Sequence, residues 1–379
     1  MPIIKRGKET WQVRIFLGRD ATGKTRFFNE TVKGKKKDAV ALETKKKSEL
    51  NAGISIEHSK ITVNEYFDKW FEISAKPRLK ERTYEDYIEY MKRYVRPMIG
   101  NKTLSKIKPL DIQAVYTSMT NKGLSPRTVR YAHSVLSSAL KQAVKWQILS
   151  INPATMADLP QNHRKEMKAL SPEEARQFLK VAKEDKWFVI FSMAISTGMR
   201  PEEYLGLQWK NVDFDRGTAT IERVLVWRRK GGGWSLQEPK TSQSRRTIPL
   251  PSTLLKDLKM YRKTQLEERL SLGAAYQNND FVFATEIGTP ILPSNLMRRH
   301  YKPLLKKAGL SEKIRLYDLR HTCATLLLAE GENPKVVSER LGHATIVLTL
   351  DTYSHVLPTM QQSATDKLED LLFRKKAKK

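Results

Sequence analysis

Tyr317-Asp318-Leu319-Arg320-His321-Thr322 runs into an apolar stretch, Cys323 to Leu328, and is followed by Glu330-Gly331. The segment reads as one helix over 318–329 with a glycine stop. Cys323, inside the apolar stretch, reads as a buried small hydrophobe rather than a thiol nucleophile. The elements around this helix are also mainly helical. Residues 334–341 and 345–350 have helical patterning downstream, and 252–272 and 293–308 have it upstream. Ser171-Pro172-Glu173-Glu174 is a capping box with proline at the first helical position. Trp187 to Ser196 is an apolar helix ending at Gly198, and Pro201-Glu202-Glu203 opens another. Thr218 to Trp227 reads as a strand, Gly231-Gly232-Gly233 as a turn, and Ser235 to Leu250 as further extended chain. Residues 168–379 are thus expected to form a mainly helical domain carrying a small antiparallel sheet.

Two further domains are expected ahead of it. Residues 61–157 read as all-helical. Thr62 or Asn64 caps a helix carrying Tyr66, Phe67, Trp70 and Phe71. Thr83 begins a second, with Tyr84, Tyr87, Ile88 and Met91 on one stripe, and Pro109 opens a third. Ser125-Pro126 opens a fourth, whose core face is Val129, Ala132, Val135, Leu136, Ala139, Leu140 and Ala143. Arg127, Arg130, Lys141 and Lys145 surround that face as candidate phosphate contacts. Residues 1–58 read as a small three-stranded sheet plus a helix over 35–50, with a hairpin turn at Asp20-Ala21-Thr22-Gly23. The strands carry Arg14, Arg19, Lys24 and Arg26 interleaved with Trp11, Phe16, Phe27 and Phe28, a basic surface suited to a groove. The class is multidomain α+β.

Charge narrows the function. The 379 residues hold 69 Lys plus Arg against 41 Asp plus Glu, a net charge of +28. The excess is spread as +8 over residues 1–60, +7 over 61–160 and +13 over the remainder, so no basic tail accounts for it. A polyanion contacted by several domains fits this pattern, with duplex DNA leading because phosphate contacts add up. No apolar run approaches the roughly 18–20 residues that span a bilayer. A single cysteine forms no intrachain disulfide and points to a reducing, cytoplasmic setting. The His and Cys positions do not follow zinc spacing, and no phosphate-loop pattern is present.

Four separated segments carry chemistry-bearing residues. They are Thr197-Gly198-Met199-Arg200-Pro201-Glu202-Glu203; Pro239-Lys240-Thr241 with Ser244-Arg245-Arg246-Thr247; Tyr317 to Thr322; and Leu341-Gly342-His343 with Asp351-Thr352-Tyr353-Ser354-His355. In this order they resemble the catalytic signature of tyrosine recombinases, the phage and transposon integrase family. The preceding helical segment resembles that family's core-binding domain, and residues 1–58 resemble its arm-binding domain. The resemblance implies DNA cleavage and rejoining through a 3′-phosphotyrosine and a Holliday junction, for integration and excision of a mobile element. It implies Tyr353 as nucleophile, Arg200, Arg320 and His343 on the scissile phosphate, and Lys240 as acid for the 5′-oxygen. Glu203 is expected to hold the active-site arginines. Forked guanidiniums suit nonbridging phosphate oxygens.

The resemblance further implies core and arm sites on duplex DNA, four protomers on that DNA, and no metal or nucleotide cofactor. An excisionase and a host DNA-bending protein are candidate helpers, and the DNA-bound protein would sit on the bacterial nucleoid. The family usually has His where this chain has Tyr317, so Tyr317 is expected only as a phosphate-site member. His321 is expected to support its helix rather than replace that His, and His355 is a weaker substitute. Arg245 and Arg246 join the DNA-binding set. A type IB topoisomerase and a non-catalytic DNA-binding regulator remain alternatives.

Overall fold

The computed structural model describes residues 3–19, 23–51, 61–162, 167–228, 232–239, 242–353 and 358–373. It contains two compact units, Met1–Arg164 and Lys165–Lys379. The mixed α+β class expected from the pattern is observed.

The first unit begins with an antiparallel sheet of β1 (Ile3–Gly7), β2 (Thr10–Arg19) and β3 (Thr25–Lys33), followed by α1 (Lys36–Asn51). Strand alternation separates the aromatic residues. Val13, Ile15 and Phe28 turn inward and pack with Ala39 of α1. Phe16 pairs with Phe27 on the opposite face, where both are exposed, and the Arg14 guanidinium lies 3.9 Å from the Phe27 ring centroid. The sheet thus has one apolar face and one aromatic–basic face. Arg19, Lys24 and Arg26 are exposed near the β2–β3 hairpin.

The helical part of this unit comprises α2 (Val63–Trp70), α3 (Glu81–Tyr90), α4 (Arg96–Ile99), α5 (Pro109–Asn121) and α6 (Pro126–Lys145). Single π-helical turns extend α2 and α3. Thr62, not Asn64, caps α2 through a reciprocal bond with Glu65. Thr83 is not the start of the second helix, because Lys80 already occupies the cap position. All seven apolar residues expected on the inner face of α6 are buried. Arg127, Lys141 and Lys145 are exposed on α6. Arg130 instead turns along the protein surface and donates from Nε to the Pro160 carbonyl at 2.8 Å, holding the outgoing chain.

The second unit packs α7 (Pro172–Ala182), α8 (Phe188–Thr197) and α9 (Pro201–Tyr204) against two small sheets. One sheet joins β4 (Val212–Asp213), β5 (Thr218–Ile221) and β8 (Arg246–Pro249); the other joins β6 (Val224–Trp227) and β7 (Trp234–Gln237). The stretch 218–227 is therefore two strands in different sheets rather than one. The break falls at exposed Glu222-Arg223, just where Leu225 meets Gly206. A Cβ on Gly206 would stand 2.7 Å from the Leu225 nitrogen, so the close approach requires glycine. Then come α10 (Ser252–Leu272), α11 (Pro293–Leu296), α12 (Lys302–Lys307), α13 (Asp318–Ala329), α14 (Pro334–Leu341), α15 (Ile346–Tyr353) and α16 (Pro358–Leu372). Phe281, Val282 and Phe283 add an unanticipated core segment, bridged to Gln208 beside α9. No helix among the described residues is long and apolar enough to cross a membrane.

Candidate active site

Left-handed glycines end two helices and deliver the site. Gly198 closes α8 at φ +66°, and the extended backbone of Arg200 then caps α9. Gly342 closes α14 at the same φ and turns the chain to His343. These are conformations that side-chain-bearing residues adopt only at a cost. Arg200 donates from Nη1 to Glu203 Oε1 at 2.7 Å and from Nη2 to the Gly342 carbonyl at 3.4 Å. The two turns are thereby tied together.

Glu203 is 1% exposed and bears two cations. Besides Arg200, it accepts from Arg246 Nη1 at 3.1 Å and Nη2 at 2.9 Å. Arg246 Nε also donates to the Arg340 carbonyl at 2.6 Å. Burial would raise the Glu203 carboxyl, but the hydrogen bonds and charges of Arg246 and Arg200 outweigh burial and hold it below the usual carboxylate range. Glu203 holds Arg200, and its second cation is Arg246. Arg246, expected among DNA contacts, has an 8% exposed side chain that spans the carboxylate and a helix end. Arg245 is on the surface, bonded to Glu238 at 2.7 Å.

Arg320 points inward from the first turn of α13 and is 1% exposed. Its Nη1 donates to the Gly198 carbonyl at 2.8 Å, while buried Nη2 has no hydrogen-bond partner among the described residues. Burial, then the charge of Arg200, lower Arg320 to about 10, so it stays cationic at neutral pH. His343 accepts or donates at 2.7 Å with Thr349 of α15. Burial, followed by the charges of Arg320, Arg200 and Arg246, brings it down to about 4 and keeps the imidazole neutral.

Helix α15 runs three residues beyond the expected end at 350, and its last residue is Tyr353. The ring packs with Ala324, Leu328, Val337 and Leu341 and is 1% exposed. Burial pushes its phenol up from 10, with Arg320 opposing. The hydroxyl lies 2.7 Å from His321 Nδ1. That contact gives His321 a partner outside its own helix. Tyr317 is partly exposed at the start of α13, its ring 5.2 Å from His321. Lys240 and His355 lie outside the described residues.

Sequence reasoning missed Arg246 as a clamp, although a signal was present. On β8, period two puts Arg246 on the same face as buried Ile248. It also missed Asp318, 2% exposed, which is fixed by Arg315 at 2.7 Å and anchors the start of α13.

Buried Arg320, half-buried Arg200, neutral His343 and buried Tyr353 thus lie at helix ends of one mainly helical unit. Residues 168–360 match the phage integrase family and residues 62–120 its N-terminal SAM-like domain. The chain is 33% identical to a tyrosine recombinase XerC-like protein of Caldanaerobacter subterraneus, over 97% of this chain and 98% of that one. It is 28% identical to the ICEBs1 integrase of Bacillus subtilis, over 98% of this chain and all of that one. The fold is shared with the Tn1549 transposon integrase in complex with transposon right end DNA, at TM-score 0.69 and 22% identity, covering 81% of this chain and 99% of that one. The chain belongs to the phage integrase family, and it is a site-specific DNA recombinase of the tyrosine type.

Proposed function

We propose that this recombinase cuts each strand with Tyr353 while Arg200, Arg320 and His343 hold the scissile phosphate. The observation that carries the reading is the buried Nη2 of Arg320, which has no hydrogen-bond partner among the described residues, beside Arg200. A buried guanidinium nitrogen left without an acceptor is costly, and a nonbridging phosphate oxygen supplies the acceptor. Neutral His343 donates a hydrogen bond there, and Tyr317 is a further donor from the rim. Lys240 protonates the 5′-oxygen as it leaves, and Glu203 aims Arg200. Phosphoryl transfer spreads charge over oxygens that fixed cations stabilise. The linkage formed is a 3′-phosphotyrosine, whose retained bond energy removes any need for a nucleotide.

Residues 168–379 serve as the catalytic domain, 61–157 as the core-binding domain and 1–58 as the arm-binding domain. The sheet face bearing Arg14, Phe16 and Phe27 suits a DNA groove, and Arg127, Lys141 and Lys145 suit phosphates of the core site. Four protomers act together through a Holliday junction. Leu368, Leu371, Leu372 and Phe373 on the exposed face of the C-terminal helix are available to a neighbouring protomer. An excisionase and a host bending protein would direct the mobile element's integration and excision. The test is incubation with a nicked cognate duplex and denaturing electrophoresis. A slow protein–DNA band that disappears in Tyr353→Phe is expected. Intact binding with no adduct at any verified site would favour the non-catalytic regulator. Truncation before Asp366 is expected to leave DNA binding but impair assembly; normal assembly would reject the tail's role.

A further inference from the structure

Nucleophilic attack by a phenol needs somewhere for its proton to go. The leading candidates around Tyr353 differ in what they already do. His343 is turned toward Thr349 and set among three arginine charges. Tyr317 sits where the family usually has histidine, and a neutral phenol oxygen takes up a proton far less readily than an imidazole nitrogen. His321 is the next residue but one after Leu319 on the same helix, and its Nδ1 is 2.7 Å from the Tyr353 hydroxyl. The Tyr353 ring also packs with Ala324, Leu328, Val337 and Leu341, and Arg320 and Tyr317 act electrostatically on its hydroxyl.

We propose that His321 is the proton acceptor for Tyr353, taking over from the position occupied by Tyr317. The inference rests on the reading of Tyr353 as the nucleophile. Helix geometry explains how one turn serves both reactants. Adjacent helical residues point about 100° apart. Arg320 therefore enters the phosphate cluster at the Gly198 carbonyl while His321 faces α15. With its hydrogen on Nε2, the ring offers Nδ1 as a lone pair. The groups facing it are Arg315, Tyr317, Asp318 and Arg320 from its own segment, Tyr353 from α15 and His343 from the turn after α14. Burial disfavours the imidazolium, Asp318 favours it and the two arginines oppose it; the net direction is toward a neutral acceptor.

Tyr353 Oη forms the bond to phosphorus as the phosphorus–O5′ bond breaks. The phenolic proton passes to His321 Nδ1, and O5′ takes a proton from Lys240. On rejoining, the 5′-hydroxyl attacks and returns its proton to the neutral Lys240 amine, the phosphorus–Oη bond breaks, and the His321 imidazolium returns its proton to Oη.

Full-length His321→Ala and His321→Asn test this in single-turnover adduct formation on the nicked duplex. Asn places an oxygen near the Nδ1 position and accepts a hydrogen bond without taking the proton. Both variants are expected to bind the duplex normally and to slow adduct formation by about 100-fold or more. The fall in wild-type rate at acidic pH should disappear in His321→Asn. A duplex with a bridging 5′-sulfur, whose thiolate leaves without an acid, should not restore either variant. The proposal is overturned if His321→Asn retains the wild-type rate and pH profile, if the sulfur substrate restores the rate, or if His321→Ala cleaves faster because the contact merely stows the tyrosine. An adduct surviving in Tyr353→Phe would instead overturn the nucleophile assignment, whatever the His321 variants do.

Discussion

Arg246→Ala should unsettle the catalytic unit far more than the loss of a surface arginine. The substitution removes two hydrogen bonds to a carboxylate that is 1% exposed and a third to the Arg340 carbonyl. Removing one partner of a buried ion pair costs about 3–5 kcal/mol, because the other charge stays behind. Arg200 remains 2.7 Å from Glu203, which places the expected cost near the lower end, about 3 kcal/mol. For a unit of this size that corresponds to a fall of about 6–12 °C in its melting temperature. Scanning calorimetry of the full-length chain provides the readout. A double-mutant cycle isolates the interaction: Glu203→Gln removes the stranded charge, so Glu203→Gln with Arg246→Met should lose less than the single variants combined, by about 2 kcal/mol. A cost below about 1 kcal/mol for Arg246→Ala, or strict additivity in the cycle, would refute the clamp.

Gly342→Ala should lose about 2 kcal/mol and slow cleavage, since φ is +66° and a Cβ would stand 2.8 Å from Arg246 Nη1; urea unfolding and adduct rate check both. The downward shifts of His343 and Glu203 give the pH dependence a sign. His343 is lowered from 6.5 to about 4, so its contribution to stability is full above 6.5 and is lost as pH falls toward 4. Glu203 is lowered from 4.5, so its contribution is full above 4.5 and is lost below it as the carboxylate protonates. Melting temperature against pH should therefore have a shallower upper limb in His343→Gln, where His321 and His133 still contribute, and keep the more acidic one. On the DNA side, Arg127→Ala, Lys141→Ala and Lys145→Ala should each reduce the slope of log binding constant against log salt by about 1 while leaving stability unchanged. Arg130→Ala should act differently, disturbing the chain at Pro160 more than the salt slope.

What could be read from the sequence tracks the range over which its signals act. The buried stripe of α6 and the limits of α10, α13 and α14 are set by local periodicity, capping and glycine stops, and all agree with the structure. The split of 218–227 between two sheets depends on which distant strand each half meets, and alternation is silent on that. The Phe281–Phe283 core segment is too short to show a period of its own. In the site, residue types and order marked Arg200, Glu203, Arg320, His343 and Tyr353. Which arginine meets Glu203, and which histidine meets Tyr353, depends on side-chain direction across separate elements. Arg246 looked like a DNA contact because its charge is legible and its burial is not.

The central claim is that Tyr353 forms the covalent bond to DNA. The most direct measurement is to digest the purified adduct and sequence the nucleotide-bearing peptide by mass spectrometry. The expected product is a nucleotide attached through its 3′-phosphate to Tyr353, with a free 5′-hydroxyl on the released strand. Attachment at Tyr317 or any other residue, or through a 5′-phosphate, would contradict it.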